Sequence, residues 1–185
     1  STRQTALQEG NVPAQLEEAR QFVTLVAAGQ DPNLAQKEAV RADAILKTNS
    51  NYIPASIVAA VVNERQGRYS EAKQIYENVL GHNPLFTPAS RALTLLCVAH
   101  FPEDLKAYDV AVKARTAFPQ DAELGKALGI LVYRRNDYSR AAQLLKECAQ
   151  KRKGDGEVLY YLGMAQYQLK QRVESRQNLE QALAL

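Results

Sequence analysis

Apolar positions recur along this chain at steps of three and four, the spacing that aligns one face of an α-helix. Ala19, Phe22, Val23 and Val26 make one such stripe, and Leu34, Ala35, Ala39, Ala42 and Leu46 make the next. Between them, Gly29-Gln30-Asp31-Pro32-Asn33 predicts a turn. Further turns are expected near residues 67, 101, 136 and 170, which divides the chain into five helix pairs. Pro88 and Pro102 suit the first turn of a helix. Glu103 and Asp104 place negative charge against a helix N-terminus, and Asp121 and Asp137 are expected N-caps.

The helical stripes repeat. Ala72 is answered by Ala107, Ala141 and Ser175, at steps of 35, 34 and 34. Tyr76, Ala111, Leu145 and Leu179 follow the same steps, as do Val79, Ala114, Cys148 and Ala182. Leu128-Gly129 recurs as Leu162-Gly163, and Pro84 as Pro119. A helix pair of this length cannot bury its apolar face alone, so several must stack. A Gly or Ala lets two helices approach closely, and a large residue such as Tyr76 or Leu145 fills the space between neighbours.

The set Gly67, Tyr69, Ala72, Tyr76 and Pro84, with the Leu-Gly pairs at 128 and 162, resembles the tetratricopeptide repeat. The resemblance implies an all-α, right-handed α-solenoid of stacked antiparallel helix pairs, about five of them. Regular repeats are expected at 53–87, 88–121, 122–155 and 156–185, after a divergent pair at 13–52. Together, 13–185 form a single solenoid. Residues 1–12 carry no strong period and are expected to be frayed. Departures from the family pattern are Ala59-Ala60 for Leu-Gly, Lys153 for the closing Pro and Ser175 for the small Ala.

Composition agrees with helices packed closely: 46% of the 185 residues are apolar, only 7% are aromatic and there is no Trp. No apolar run is long enough to cross a bilayer. The start, Ser1-Thr2-Arg3, has neither an initiator Met nor the regions of a signal peptide, so the chain is expected to be part of something longer. Two cysteines make no disulfide framework and fit a reducing, cytoplasmic compartment better than an oxidising one. A periplasmic location stays open if the piece comes from an exported chain.

Catalytic chemistry finds little support. Cys97 and His100 are one helical turn apart, but nothing orients the imidazole and no oxyanion loop follows. A zinc site from Cys97, Cys148, His82 and His100 would draw on three repeats with no paired spacing. No phosphate loop or hydrolase motif occurs. Neither an enzyme, nor a cofactor, nor a metal is expected. The run Arg134, Arg135, Arg140, Lys146, Lys151, Arg152 and Lys153 sets seven cations against Asp137 and Glu147, about +5 locally beside +3 for the whole chain. It suits an acidic partner, RNA or an anionic surface.

The resemblance also implies where a partner sits, because the first helices of such repeats line a concave face. The positions carried over are Ile57, Val61 and Arg65; Leu96 and His100; Lys126, Ile130, Tyr133 and Arg134; and Tyr160, Met164 and Tyr167. The set is apolar and ends in Tyr and Met, which favour binding faces. The carboxylate clamp of some family members is absent: Ile57, Val61, Leu93, Glu123 and Ala127 stand at its positions. The expected function is therefore a protein-interaction scaffold taking a peptide or amphipathic helix. The alternatives are a solenoid that self-associates through its uncapped C-terminal helix, and a weak RNA or anionic-surface binder through residues 134–153. Nucleic acid is the less expected partner.

Overall fold

The computed structural model describes residues 12–104 and 106–185. The expected frayed segment lies outside them, apart from Val12. The described residues form ten helices and no strand: α1 Val12–Ala28, α2 Pro32–Thr48, α3 Ile53–Arg65, α4 Tyr69–His82, α5 Thr87–His100, α6 Ala107–Ala117, α7 Ala122–Arg134, α8 Tyr138–Lys151, α9 Gly156–Gln168 and α10 Arg172–Leu183. These are the five expected pairs. The chain divides into two compact units, the first ending at Pro84 and the second running from Leu85 to Leu185. Within each, every helix packs on its chain neighbour, and the first helices of successive pairs also meet: α1 with α3, α5 with α7, α7 with α9.

Turn chemistry explains the repeat. Three first helices end in the same way, with one residue in the left-handed region: Gly67 at φ 73°, Asn136 at 63° and Lys170 at 62°. In each, that residue and the next return their N–H groups to the last turn, as Gly67 N to Glu64 O (3.0 Å) and Arg68 N to Asn63 O (2.9 Å) do. The second helix then begins two residues later. One repeat earlier than Asn136 stands Pro102, whose ring holds φ near −65° and excludes this closure. Accordingly Pro102 does not open a helix as expected: α6 starts only at Ala107, after a turn in which the Asp104 carboxylate accepts the Lys106 N–H at 2.9 Å.

Helix starts follow side-chain chemistry. Asp31, Asp121, Asp137 and Asp155 cap α2, α7, α8 and α9 by accepting first-turn N–H groups. Pro32 opens α2 and so belongs to the helix, leaving Gly29 to Asp31 as the turn.

In the first unit, Leu25, Ala28, Ala35, Ala42, Ala55, Val58 and Val62 form the core. The expected stripe of α1 is displaced from it. Phe22, Val23 and Val26 are 50%, 65% and 40% exposed, while Leu25 and Ala28 carry the contact. Among the described side chains of α1, those of residues 15–20 are exposed and burial is confined to the C-terminal half, so the buried face is short. Tyr76 is buried and donates its hydroxyl to Glu64 Oε1 at 2.6 Å. Burial, reinforced by the Glu64 charge and this bond, pushes the phenol well above its ordinary pKa.

In the second unit the small positions are buried as the repeat predicts: Ala107, Ala141 and Ser175. A Cβ on Gly129 would lie 2.8 Å from Leu145, and one on Gly163 2.7 Å from Leu179. The Leu-Gly signature thus lets the large residue of the second helix sit on bare backbone of the first. A polar device recurs at the same pitch. Arg91 on α5 bonds the α7 cap Asp121 at 2.5 Å, and Lys126 on α7 reaches the α9 cap Asp155 at 3.3 Å. Each ties the first helix of one repeat to the start of the next.

Candidate functional site

On α3, Ile57, Val61 and Arg65 fall at steps of four, one above another. Their side chains are engaged by the preceding pair. Ile57 is half-buried against Gly29, where an added Cβ would come within 2.8 Å of its Cγ2. Val61 packs on the core, and Arg65 donates to the Pro32 carbonyl (3.0 Å) and Asn33 Oδ1 (2.7 Å). These three hold α1 and α2 in place.

In the second unit, Leu96 is 3% exposed and Ile130 has no exposure. Both belong to the core rather than to a surface, which corrects their expected place in a groove. Counting positions along one helix cannot register what packs against it from outside. His100 is exposed at the end of α5, and Cys97, one turn before it, is buried. Lys126 is held by Glu157 (2.7 Å) as well as Asp155. Burial works against its charge, but the two carboxylates outweigh it and raise its pKa.

The remaining positions converge on aromatic rings. The Tyr133 ring lies 5.4 Å from that of Tyr161 and 5.5 Å from that of Tyr138, and Tyr161 meets Tyr160 edge-on at 5.2 Å. Such tilted contacts suit the ring quadrupoles. Burial, then the neighbouring tyrosines, raises the Tyr133 pKa. Tyr160 is 47% and Tyr167 61% exposed, with half-buried Met164 between them on the same stripe of α9. Arg134 donates through Nη2 to the Val98 carbonyl at 3.0 Å, and its buried Nη1 has no partner among the described residues. Tyr138 and Tyr161 were missed from sequence. Tyr138 stands in register with Tyr69 at the start of a second helix, outside the first helices along which groove positions are counted, and Tyr161 is the second residue of a Tyr pair of which position counting selects only one.

The basic run is largely spent within the fold. Arg134 is bonded as above, and the Arg135 guanidinium lies 4.4 Å over the Tyr108 ring. Arg140 donates to the Tyr108 hydroxyl at 2.8 Å, Lys151 pairs with Glu147, and Arg152 with Glu123 and Asp155. Burial pushes the Cys148 thiol up, away from the thiolate form a nucleophile or metal ligand needs.

Residues 157–185 match the tetratricopeptide repeat family. No curated protein sequence matches the chain. Among solved structures, a point mutant of MamA superposes with a TM-score of 0.77 at 14% identity, over 91% of this chain and 99% of that one. MamA from Desulfovibrio magneticus RS-1 does so with a TM-score of 0.72 at 12% identity, over 90% and 94%. YrrB, described as a TPR protein with an unusual peptide-binding site, gives a TM-score of 0.71 at 19% identity, over 82% of this chain and 78% of its own. At these identities the likeness is one of fold.

Proposed function

We propose that this chain, a helical-repeat protein with the tetratricopeptide fold, is a non-catalytic scaffold that captures a peptide or amphipathic helix of another protein. The observation that carries the reading is the ring array of Tyr133, Tyr160 and Tyr161, continued by Met164 and Tyr167 along α9. Tyrosine offers a large apolar face with a polar tip and loses little conformational freedom on contact. Here the rings are braced by one another, so the surface is ordered before a partner arrives. The nearby groove position Lys126 has its charge taken up by Glu157 and Asp155, which favours a partner with apolar anchors over a highly charged one. The burial of both thiols supports a role without covalent chemistry.

Selection from a displayed peptide library against the full chain would supply a ligand. Tyr160→Ala, at a half-exposed position, is expected to leave melting unchanged and weaken that ligand about tenfold, as truncating an aromatic anchor does. Tyr133→Ala together with Tyr160→Ala is expected to abolish capture, with folding followed by circular dichroism. A folded double variant that binds its selected ligand at parental affinity ends this reading.

A further inference from the structure

We infer that the second unit carries a separate docking groove, between α8 and α10, for an extended acidic segment of another protein. The groove has a volume of about 500 Å³ and a floor formed by Leu159 and Leu162 of α9. Its walls are Lys146, Ala149 and Gln150 of α8, with Lys153 in the turn that follows that helix, and Glu174, Gln177, Asn178 and Gln181 of α10.

The first unit has a hollow at the equivalent place, of about 660 Å³, lined 103 residues earlier: Ser56 stands for Leu159, Ala59 for Leu162, Glu71 for Glu174 and Gln74 for Gln177. The hollow is therefore a product of the repeat, whereas its chemistry is particular to each copy. In the first unit Glu71 and Glu77 line it and, among the described residues, no cation does. In the second, Lys153 replaces Ser50, and Lys146 and Arg152 join the wall. Arg152 is held by Glu123 and Asp155, but among the described residues Lys146 and Lys153 make no ion pair. The wall also holds Glu174, so the two lysines leave the groove net positive beside an apolar floor, which calls for carboxylates on a chain that also carries apolar side chains.

The rest of the lining selects polypeptide over RNA. Side-chain amides both donate and accept, matching the alternating N–H and C=O groups of an extended backbone. One of them, Gln166, is only 8% exposed and is fixed by a 2.7 Å bond from Asn178 Nδ2 to its Oε1. Among the described residues no aromatic ring lines the groove, so bases have no stacking platform there.

The test is fluorescence anisotropy with the full chain and labelled synthetic peptides of alternating Glu and Leu, or Lys and Leu. The acidic peptide is expected to bind saturably, and Lys146→Glu with Lys153→Glu to weaken it about tenfold while admitting the basic peptide. Both lysines are exposed, so the variant should melt like the parent. Tyr160→Ala is expected to leave the acidic peptide unaffected. The proposal is overturned if the charge-reversed protein keeps parental affinity, if Tyr160→Ala removes binding, or if single-stranded RNA displaces the peptide and binds more tightly.

Discussion

Leu145 has no solvent exposure and lies over the bare Cα of Gly129, so that glycine is required by contact rather than by backbone conformation. Alanine there would gain about 1 kcal/mol of helix propensity but force a methyl into a site without room, at about 1–3 kcal/mol. Gly129→Ala is therefore expected to lower stability by roughly 1 kcal/mol. Gly81, on the exposed side of α4 with nothing near an added Cβ, supplies the control. Gly81→Ala should raise stability by about 0.5 kcal/mol. Urea unfolding midpoints read both, and equal effects of the same sign would refute the packing account. Single side chains likewise join the ring surface: Tyr161 touches both Tyr133 and Tyr160 and so links the two rings.

For the elements, closure matters more than propensity. Gly67, Asn136 and Lys170 all turn the chain through the left-handed region, which costs a side-chain-bearing residue about 1–2 kcal/mol. At Gly67 no neighbouring atom lies within 4 Å of an added Cβ, so Gly67→Ala isolates the backbone cost. It is expected to lose about 1 kcal/mol, whereas Lys170→Gly should gain a few tenths. A Gly67→Ala protein as stable as its parent would show that the α3–α4 turn relaxes to another form. Pro102 shows what such relaxation entails, since there the second helix starts three residues later in the repeat than elsewhere. Helix caps act at this scale too. Asp121 both caps α7 and receives Arg91, so one side chain anchors two repeats.

Across the whole molecule, these anchors set the pH range of stability. Burial opposes the ionisation of Asp121 and Asp155, but Arg91, Lys126 and the first-turn N–H groups outweigh it and hold both carboxyls below their usual range. A depressed carboxyl stabilises fully above its unfolded pKa of about 4 and loses that contribution as pH falls through the folded value. Tyr76 has the opposite sign: its raised pKa stabilises below about pH 10, and the contribution disappears as pH rises further. The urea midpoint is thus expected to stay level between about pH 5 and 9 and to fall on both sides. Asp121→Asn should flatten the acid limb, and Tyr76→Phe the alkaline one. A midpoint that climbs on acidification below pH 4 contradicts this assignment.

By itself the sequence determined the helices, their pairing and their pitch, because these rest on local chemistry. The three-and-four spacing, Gly67 at a left-handed turn, the Asp121 and Asp137 caps and the small residue under each large one all act within a few residues or one repeat. The tertiary structure alone decided which surfaces remain. Leu96 and Ile130 read as groove positions on their own helices, yet both are buried in the fold. Lys126 reads as a groove position and the basic run as available charge, yet partners about a repeat away in the chain take up Lys126, Arg140 and Arg152. Tyr138 and Tyr161 join Tyr133 only through contacts between elements, and the α8–α10 groove exists only where three helices meet. Exposure is set by what packs from outside an element, and that information is not carried by the element's own periodicity.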